Sequence, residues 1–248
     1  MNIGLYQSAA SLSALERWQD AVSQNITSSQ VSGFRKRTVA FSSVEMGTIQ
    51  SDPKSKGTDG AKPAMFPTTS VGVSFTAGET TPTRRELDVA IQGDGFLEVQ
   101  MPGGTRGYTR AGELHLDATR TVVSRDNLPV LSQAGTPIVL QADGGSLSIA
   151  QDGALSQGDT QLGKISVVKF PDNSQLIPVG GGTFLPKDGS SPTQVEQPAV
   201  LQGYLEASNV TPLREMISLV QIARAYEANQ KIITDRDQNL QKAIETLG

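Results

Sequence analysis

Near the C-terminus, Leu219, Tyr226, Ile233, Leu240 and Leu247 recur every seven residues without a break. That period returns an apolar side chain to one side of an α-helix every two turns, so it predicts a single long amphipathic helix. Ile222, Ala223, Ala243 and Ile244 fill neighbouring positions. Thr211-Pro212 supplies the start: a hydroxyl at the N-cap, then a proline where its missing N–H costs nothing. Glu215 favours the positive end of the helix dipole. A helix of roughly 35 residues is roughly 50 Å long at 1.5 Å per residue. Its stripe is too long for a small domain to cover.

A second such pattern opens the chain. Leu5, Leu12, Leu15, Val22 and Ile26 fall at heptad-related positions, with Ala9 and Trp18 widening the stripe and Gln19 interrupting it. This predicts a helix from about residue 3 to the high twenties. Gly33 then supplies a residue that takes positive φ, so Gly33→Val is expected to damage assembly more than folding of the central region. Two readings of the terminal helices stay open on pattern alone. They form a hairpin on the core of their own molecule, or a coiled-coil-like stem that packs against copies of itself.

Residues 41–84 are rich in Ser, Thr, Gly, Pro and Lys, which predicts an irregular, extended connector with one strand at Val71 to Phe75. From Glu86 the period changes to two. Leu87, Val89 and Ile91 alternate with Asp88, Ala90 and Gln92, and Gly93-Asp94-Gly95 turns the chain into Phe96 to Val99. Short runs and turn residues then follow at roughly 8–12-residue spacing, the signature of an all-β domain. The expected fold is mainly β with helical termini. Its parts are an N-terminal helix and export or assembly segment (1–40), an irregular connector (41–84), an all-β domain (85–206) and a C-terminal assembly helix (207–248). The two long helices form the coiled-coil-like stem.

Chemistry is sparse. The absence of cysteine removes disulfides, thiolate metal sites and a cysteine nucleophile. A net charge of -4 with interspersed signs gives no basic footprint for nucleic acid. His115 is the single histidine, and no further ligands at metal spacing accompany it. Glu86 with Asp88, and Glu113 with Asp117, are carboxylate pairs of the kind a glycosidase uses, but same-face acids on a strand ordinarily mark a solvated surface. Gly93-Asp94-Gly95 and Gly180-Gly181-Gly182 lack the strand-to-helix context of a phosphate loop. No catalytic, cofactor or metal site is expected, and no small-molecule substrate. The opening Met1-Asn2-Ile3-Gly4-Leu5-Tyr6-Gln7 has no basic region followed by an apolar run, which points to the cytoplasm or to export without a cleaved signal peptide.

Four motifs, in order along nearly the whole chain, resemble the flagellar rod and hook family. Asn25-Ile26-Thr27-Ser28 through Gly33-Phe34-Arg35 is similar to its N-terminal signature, with Ser28 and Val31 as departures. Leu87 to Phe96 resembles the strand and turn that open its β domain. Tyr108-Thr109-Arg110-Ala111-Gly112-Glu113-Leu114 with Asp117 follows, with Arg120 and Asn127 where glycines are typical. Asn127 tolerates left-handed geometry; Arg120 makes its turn an open question. Glu206-Ala207-Ser208-Asn209-Val210 through Glu215-Met216, then Arg224 to Asn229, looks like the C-terminal signature, with Ala223 replacing a usual Gln.

The resemblance, closest to a proximal rod protein, implies a structural subunit of the flagellar basal body that is not an enzyme. Its implied partners are copies of itself, other rod proteins and the flagellar type III export apparatus, which it would pass unfolded. Family members assemble as a helical tube with terminal helices in the inner wall, which assigns assembly or export roles to Leu5, Leu12, Leu15, Val22, Asn25, Ile26, Gly33, Phe34, Asn209, Leu219, Tyr226, Ile233, Leu240 and Leu247. The alternatives are a distal rod or hook-type subunit, a secreted polysaccharide-acting enzyme, and a phage tail component.

Overall fold

The computed structural model describes residues 3–50, 61–142, 144–187 and 189–247. The chain divides into two compact units. One comprises Met1–Thr27, Arg37–Gly72 and Thr211–Gly248; the other comprises Ser28–Lys36 and Val73–Val210.

The first unit contains both α-helices, α1 (Ile3–Thr27) and α2 (Pro212–Leu247), with two long paired strands, β1 (Arg37–Gln50) and β2 (Ala61–Val73). The first turn of α2 closes where the Thr211 carbonyl accepts the N–H groups of Arg214 and Glu215, leaving Pro212 at the position that needs no donor. Leu15 and Val22 of α1 meet Ile222 of α2, and Trp18, Ile26, Leu219, Ala225 and Tyr226 pack around them. The strand pair runs beside α1. Gln7 donates its side-chain amide to the Met65 carbonyl at 2.9 Å, and the Trp18 and Phe41 rings meet edge-on at 5.5 Å. Among the described residues no helix is long and apolar enough to cross a membrane.

This corrects the expected fold class in two respects. Among the described residues no long coiled-coil stem is present: the buried apolar contact between the helices consists of Leu15, Val22 and Ile222. The heptad residues Leu219, Tyr226 and Ile233 are only half-buried, because they flank the seam instead of forming its floor. Leu240 and Leu247 lie on α2 with side chains outside the described residues. Of the expected connector, residues 41–50 and 61–73 are also not irregular but lie in β1 and β2, while residues 51–60 fall outside the described residues. Val39, Phe41, Val44, Val71 and Val73 are good strand formers, and Pro63 and Pro67 are tolerated because a two-stranded ribbon has only edge strands.

The second unit is almost wholly β. Its strands are β3 (Thr80–Pro82), β4 (Val89–Gln92), β5 (Phe96–Gln100), β6 (Arg106–Thr109), β7 (Leu114–Leu116), β8 (Val122–Ser124), β9 (Leu147–Ile149) and β10 (Ala154–Gln157). They continue as β11 (Thr160–Lys164), β12 (Val167–Lys169), β13 (Leu176–Gly180), β14 (Thr183–Pro186), β15 (Thr193–Gln194), β16 (Ala199–Gln202) and β17 (Tyr204–Glu206). A six-stranded sheet has the order β13-β14-β6-β5-β12-β15, and a three-stranded sheet the order β11-β10-β9. Pairs β16-β4, β17-β3 and β7-β8 complete the ladders.

The central strand β5 of the six-stranded sheet is buried on both faces, and its successive side chains point to opposite sides. Leu97, Val99 and Val167 enter a large aliphatic core with Val89, Leu114, Val130 and Leu155. Their neighbours Phe96 and Val168 point the other way, into an aromatic cluster with Tyr108, Phe170 and Phe184. Asn127 and Arg120 both hold positive φ, +59° and +62°. The Arg120 turn therefore forms, at a cost of roughly 1–2 kcal/mol for left-handed backbone. The Arg120 guanidinium offsets part of it by donating to the Leu140 and Gln141 carbonyls.

Candidate assembly and export residues

The residues singled out by sequence fall into separate clusters in the two units. In the helical unit, Leu15 and Val22 are buried in the seam, Ile26 is half-buried beside it, Leu12 is half-buried, and Leu5 is exposed at the start of α1. Asn25 has no exposed surface at all. Its amide closes a two-way bond with Arg37, accepting the Arg37 N–H at 2.7 Å and donating to the Arg37 carbonyl at 2.9 Å. The same amide nitrogen donates to the Glu215 carboxylate at 3.0 Å. One side chain thus joins the end of α1, the first residue of β1 and the first turn of α2. A carboxylate and two backbone groups, buried together, need a side chain that both donates and accepts; an amide supplies both. Burial lowers the Arg37 guanidinium below its usual value.

In the β-rich unit, Asn209 performs a similar task. It accepts the Lys36 N–H at 2.6 Å and donates to the carbonyls of Ser74 (2.9 Å) and Thr76 (2.8 Å). Gly33 holds φ +67°. A β-carbon there would run into the Arg110 carbonyl and the Ala111 nitrogen, so this glycine answers to close backbone packing inside the unit. Phe34 is buried next to it.

Sequence reasoning missed the charged centre of this cluster. Glu206, at the end of β17, receives Arg35 at 2.6 Å and Arg110 at 3.2 Å, all three side chains at most 5 % exposed. Glu206 also accepts the Gly78 N–H, and its carbonyl accepts the Gly33 N–H. Arg110 donates in addition to the carbonyls of Ile91 and Gly93 and lies over the Phe96 ring. Burial pulls the Arg110 guanidinium below its usual value, with Glu206 opposing the shift. The signal was present: Arg35, Arg110 and Glu206 each sit inside one of the quoted motifs.

Three of the four carboxylates considered for catalysis, Asp88, Glu113 and Asp117, are engaged otherwise. Arg85 bridges Asp88 (2.7 Å) and Glu113 (3.0 Å), and Asp117 closes its own turn onto Thr119 and Thr121. His115 pairs with the Asn127 side chain at 3.0 Å.

Comparison with known proteins agrees with this arrangement over the full chain. Residues 201–246 match the family described as flagellar basal body rod FlgEFG protein C-terminal, and residues 90–157 match the flagellar hook protein FlgE/F/G D1 domain. The flagellar basal-body rod protein FlgF of Caulobacter vibrioides is 33% identical, across 100% of this chain and 99% of the relative. FlgF of Rhizobium meliloti is 31% identical over the same shares, and the rod protein FlgG of Bacillus subtilis 30% identical over 97% of each chain. With two family domains in their proper places and end-to-end similarity to named rod proteins, the chain belongs to the flagellar basal-body rod protein family, FlgF type.

Proposed function

We propose that the chain is a structural subunit of the bacterial flagellar basal-body rod which polymerises with copies of itself and with neighbouring rod proteins. The observation that carries this reading is the similarity to rod proteins along the entire chain. The physical arrangement supports it. The helical unit leaves apolar side chains uncovered on α1, α2 and the β1-β2 ribbon, and patches of that kind mark association surfaces. Contacts between different patches, where their rotation does not close into a ring, propagate into a helical filament that can transmit torque. The chain performs no catalysis in this role.

Export is part of the same proposal. The subunit leaves unfolded through the flagellar type III apparatus, with recognition in the first 40 or so residues. Deleting Ser8 to Val22 should abolish secretion, and undiminished secretion would overturn the export reading. For the rod role, cells lacking the chain should be non-motile, and the complementing full-length chain should fractionate with purified basal bodies. A motile deletion strain, or a chain absent from basal bodies, would overturn it.

A further inference from the structure

In the first unit, α1 and the β1-β2 ribbon border a cavity of about 220 Å³, lined by Arg17, Asp20, Ala21, Gln24, Arg37 and Val71. The four α1 residues are spaced i, i+3, i+4 and i+7, so they share one face of the helix. Ala21 has the smallest side chain on that face, which leaves room among its longer neighbours. Arg37 is the first residue of β1, and the Asn25 amide fixes it there by holding both its N–H and its carbonyl. None of the lining residues belongs to the apolar seam between α1 and α2.

The charges around this cavity are not matched within the unit. The Arg37 Nε is buried and has no hydrogen-bond partner among the described residues. Burial depresses the Arg37 guanidinium with no carboxylate opposing it, whereas Glu206 opposes the same effect at Arg110. Arg17 donates to the Thr69 hydroxyl at 3.5 Å. Asp20 lines the same cavity yet forms no ion pair with either arginine among the described residues. Two guanidiniums and one carboxylate leave the wall with a net charge of +1. A cation removed from water ordinarily has an anion to meet.

We propose that this cavity binds a small carboxylate ion, with the Arg37 guanidinium as its anchor. Guanidinium N–H groups lie in a planar fork that matches the two oxygens of a carboxylate, and such charge-assisted bonds are the strong ones. Arg17 supplies a second cation, and the Gln24 amide a neutral donor. Asp20 selects the charge of the ligand. A monoanion neutralises the wall, while a dianion such as phosphate would leave excess negative charge beside the Asp20 carboxylate. The volume selects its size. Pockets for drug-sized ligands run from about 300 to 1,000 Å³, so this one admits only a few heavy atoms beyond the carboxyl group. The site goes beyond the rod role and does not depend on it.

Acetate is the probe. The isotope-labelled full-length chain is titrated with sodium acetate, and separately with sodium chloride at matched ionic strength, while nuclear magnetic resonance follows the Arg37 Nε–H and the Gln24 side-chain amide. Both signals should shift saturably with acetate alone, at roughly millimolar Kd for so small a ligand. Arg37→Met keeps the aliphatic stem and should weaken binding by about ten-fold or more. Asp20→Asn, on an exposed position, should tighten it roughly two- to five-fold by removing a repelling charge. Should Arg37→Met lose its helical circular dichroism, exposed Arg17→Gln takes its place, with an expected loss of roughly two- to five-fold. An equal response to chloride, or a Kd unchanged by Arg37→Met and by Arg17→Gln, overturns the site. Weaker binding in Asp20→Asn, or phosphate binding more tightly than acetate, overturns the assignment of its ligand as a monoanionic carboxylate.

Discussion

The helical unit and the β-rich unit solve the burial problem in opposite ways. The β-rich unit closes on itself: an aliphatic core of fifteen buried residues, an aromatic cluster behind it, and a charged centre at Glu206 with no exposed member. The helical unit buries Leu15, Val22 and Ile222 and leaves Leu213, Met216, Ile217, Val220, Phe41, Val44 and Val71 about half exposed or more. Each fully buried aliphatic side chain contributes about 1.5–3 kcal/mol, while each ordered residue costs about 1–2 kcal/mol of backbone entropy. The long helices therefore hold few internal contacts for the length of chain they order. One unit covers its own core; the other leaves apolar faces that, under the proposed rod role, neighbouring subunits would cover. The difference teaches where assembly energy resides in such a subunit.

The largest expected effect falls on the finished unit. Replacing Glu206 with alanine leaves Arg35 and Arg110 buried without a counter-charge. Breaking a buried ion pair by removing one partner costs about 3–5 kcal/mol. Urea unfolding followed by near-ultraviolet circular dichroism of the β-unit aromatics should show that loss. A loss under about 1 kcal/mol would mean that the buried charges are not what holds residues 33–36 against β17.

A pair of core truncations sharpens the comparison next. Leu155→Ala, in the large core, should cost about 2–5 kcal/mol in the transition of the β-rich unit. Ile222→Ala removes the floor of the helical seam and should lower hydrogen-exchange protection in α1 and α2 while leaving the β5 and β6 amides unchanged. If Ile222→Ala weakens β5 as much as α1, the two units are one cooperative block and the contrast drawn above collapses.

Asn25→Ala is a smaller blow to the helical unit alone. It strands the Arg37 N–H and carbonyl and removes a donor from Glu215. Leaving buried polar groups unsatisfied costs about 1–3 kcal/mol. Exchange at the last turn of α1 and the first turn of α2 should rise together, since the amide serves both. A rise at only one of them would show that the clasp is not shared.

How much of this was legible depends on which physical rule governed each element. The β-rich region announced itself through alternation at Leu87, Val89 and Ile91, and the start of α2 through Thr211-Pro212. The heptad count did not give the seam, because period seven marks Leu219 and Tyr226 equally well whether they form its floor or its rim. Ile222, one turn along, is the residue that α1 covers. The β1-β2 ribbon was hidden by its prolines and serines, which are penalised in central strands but not in edge strands. Gly33 was legible as a positive-φ residue, yet its setting was not: it packs on the Arg110 backbone, so Gly33→Val should disturb the β-rich unit itself. The Arg35–Glu206–Arg110 centre was missed because charged side chains ordinarily face water, and only the fold brings three of them, far apart in sequence, into one dry place.

The smallest effect concerns acid. In the β-rich unit, turn hydrogen bonds from Thr119 and Thr121 hold the Asp117 carboxyl below its ordinary range. The Lys164 ammonium does the same for Asp152, and the Ser174 hydroxyl and N–H for Asp172. A carboxyl whose folded value is depressed adds stability that is complete above its unfolded value, near 3.8. That stability drains away as pH falls through the lower folded value. Asp117→Asn keeps a side-chain oxygen for the Thr119 and Thr121 N–H groups but removes the ionised acceptor. The variant should therefore be slightly less stable than the parent at neutral pH, by a gap that stays constant down to about pH 5 and closes below about pH 4. Asp152 and Asp172 are exposed and Asp117 is half-exposed, so the gap should be small and should shrink with salt. Thermal unfolding of parent and variant across pH 7 to 3 would measure it. A gap that widens in acid would reverse the sign argued here, and would mean that Asp117 is stabilised in its protonated form.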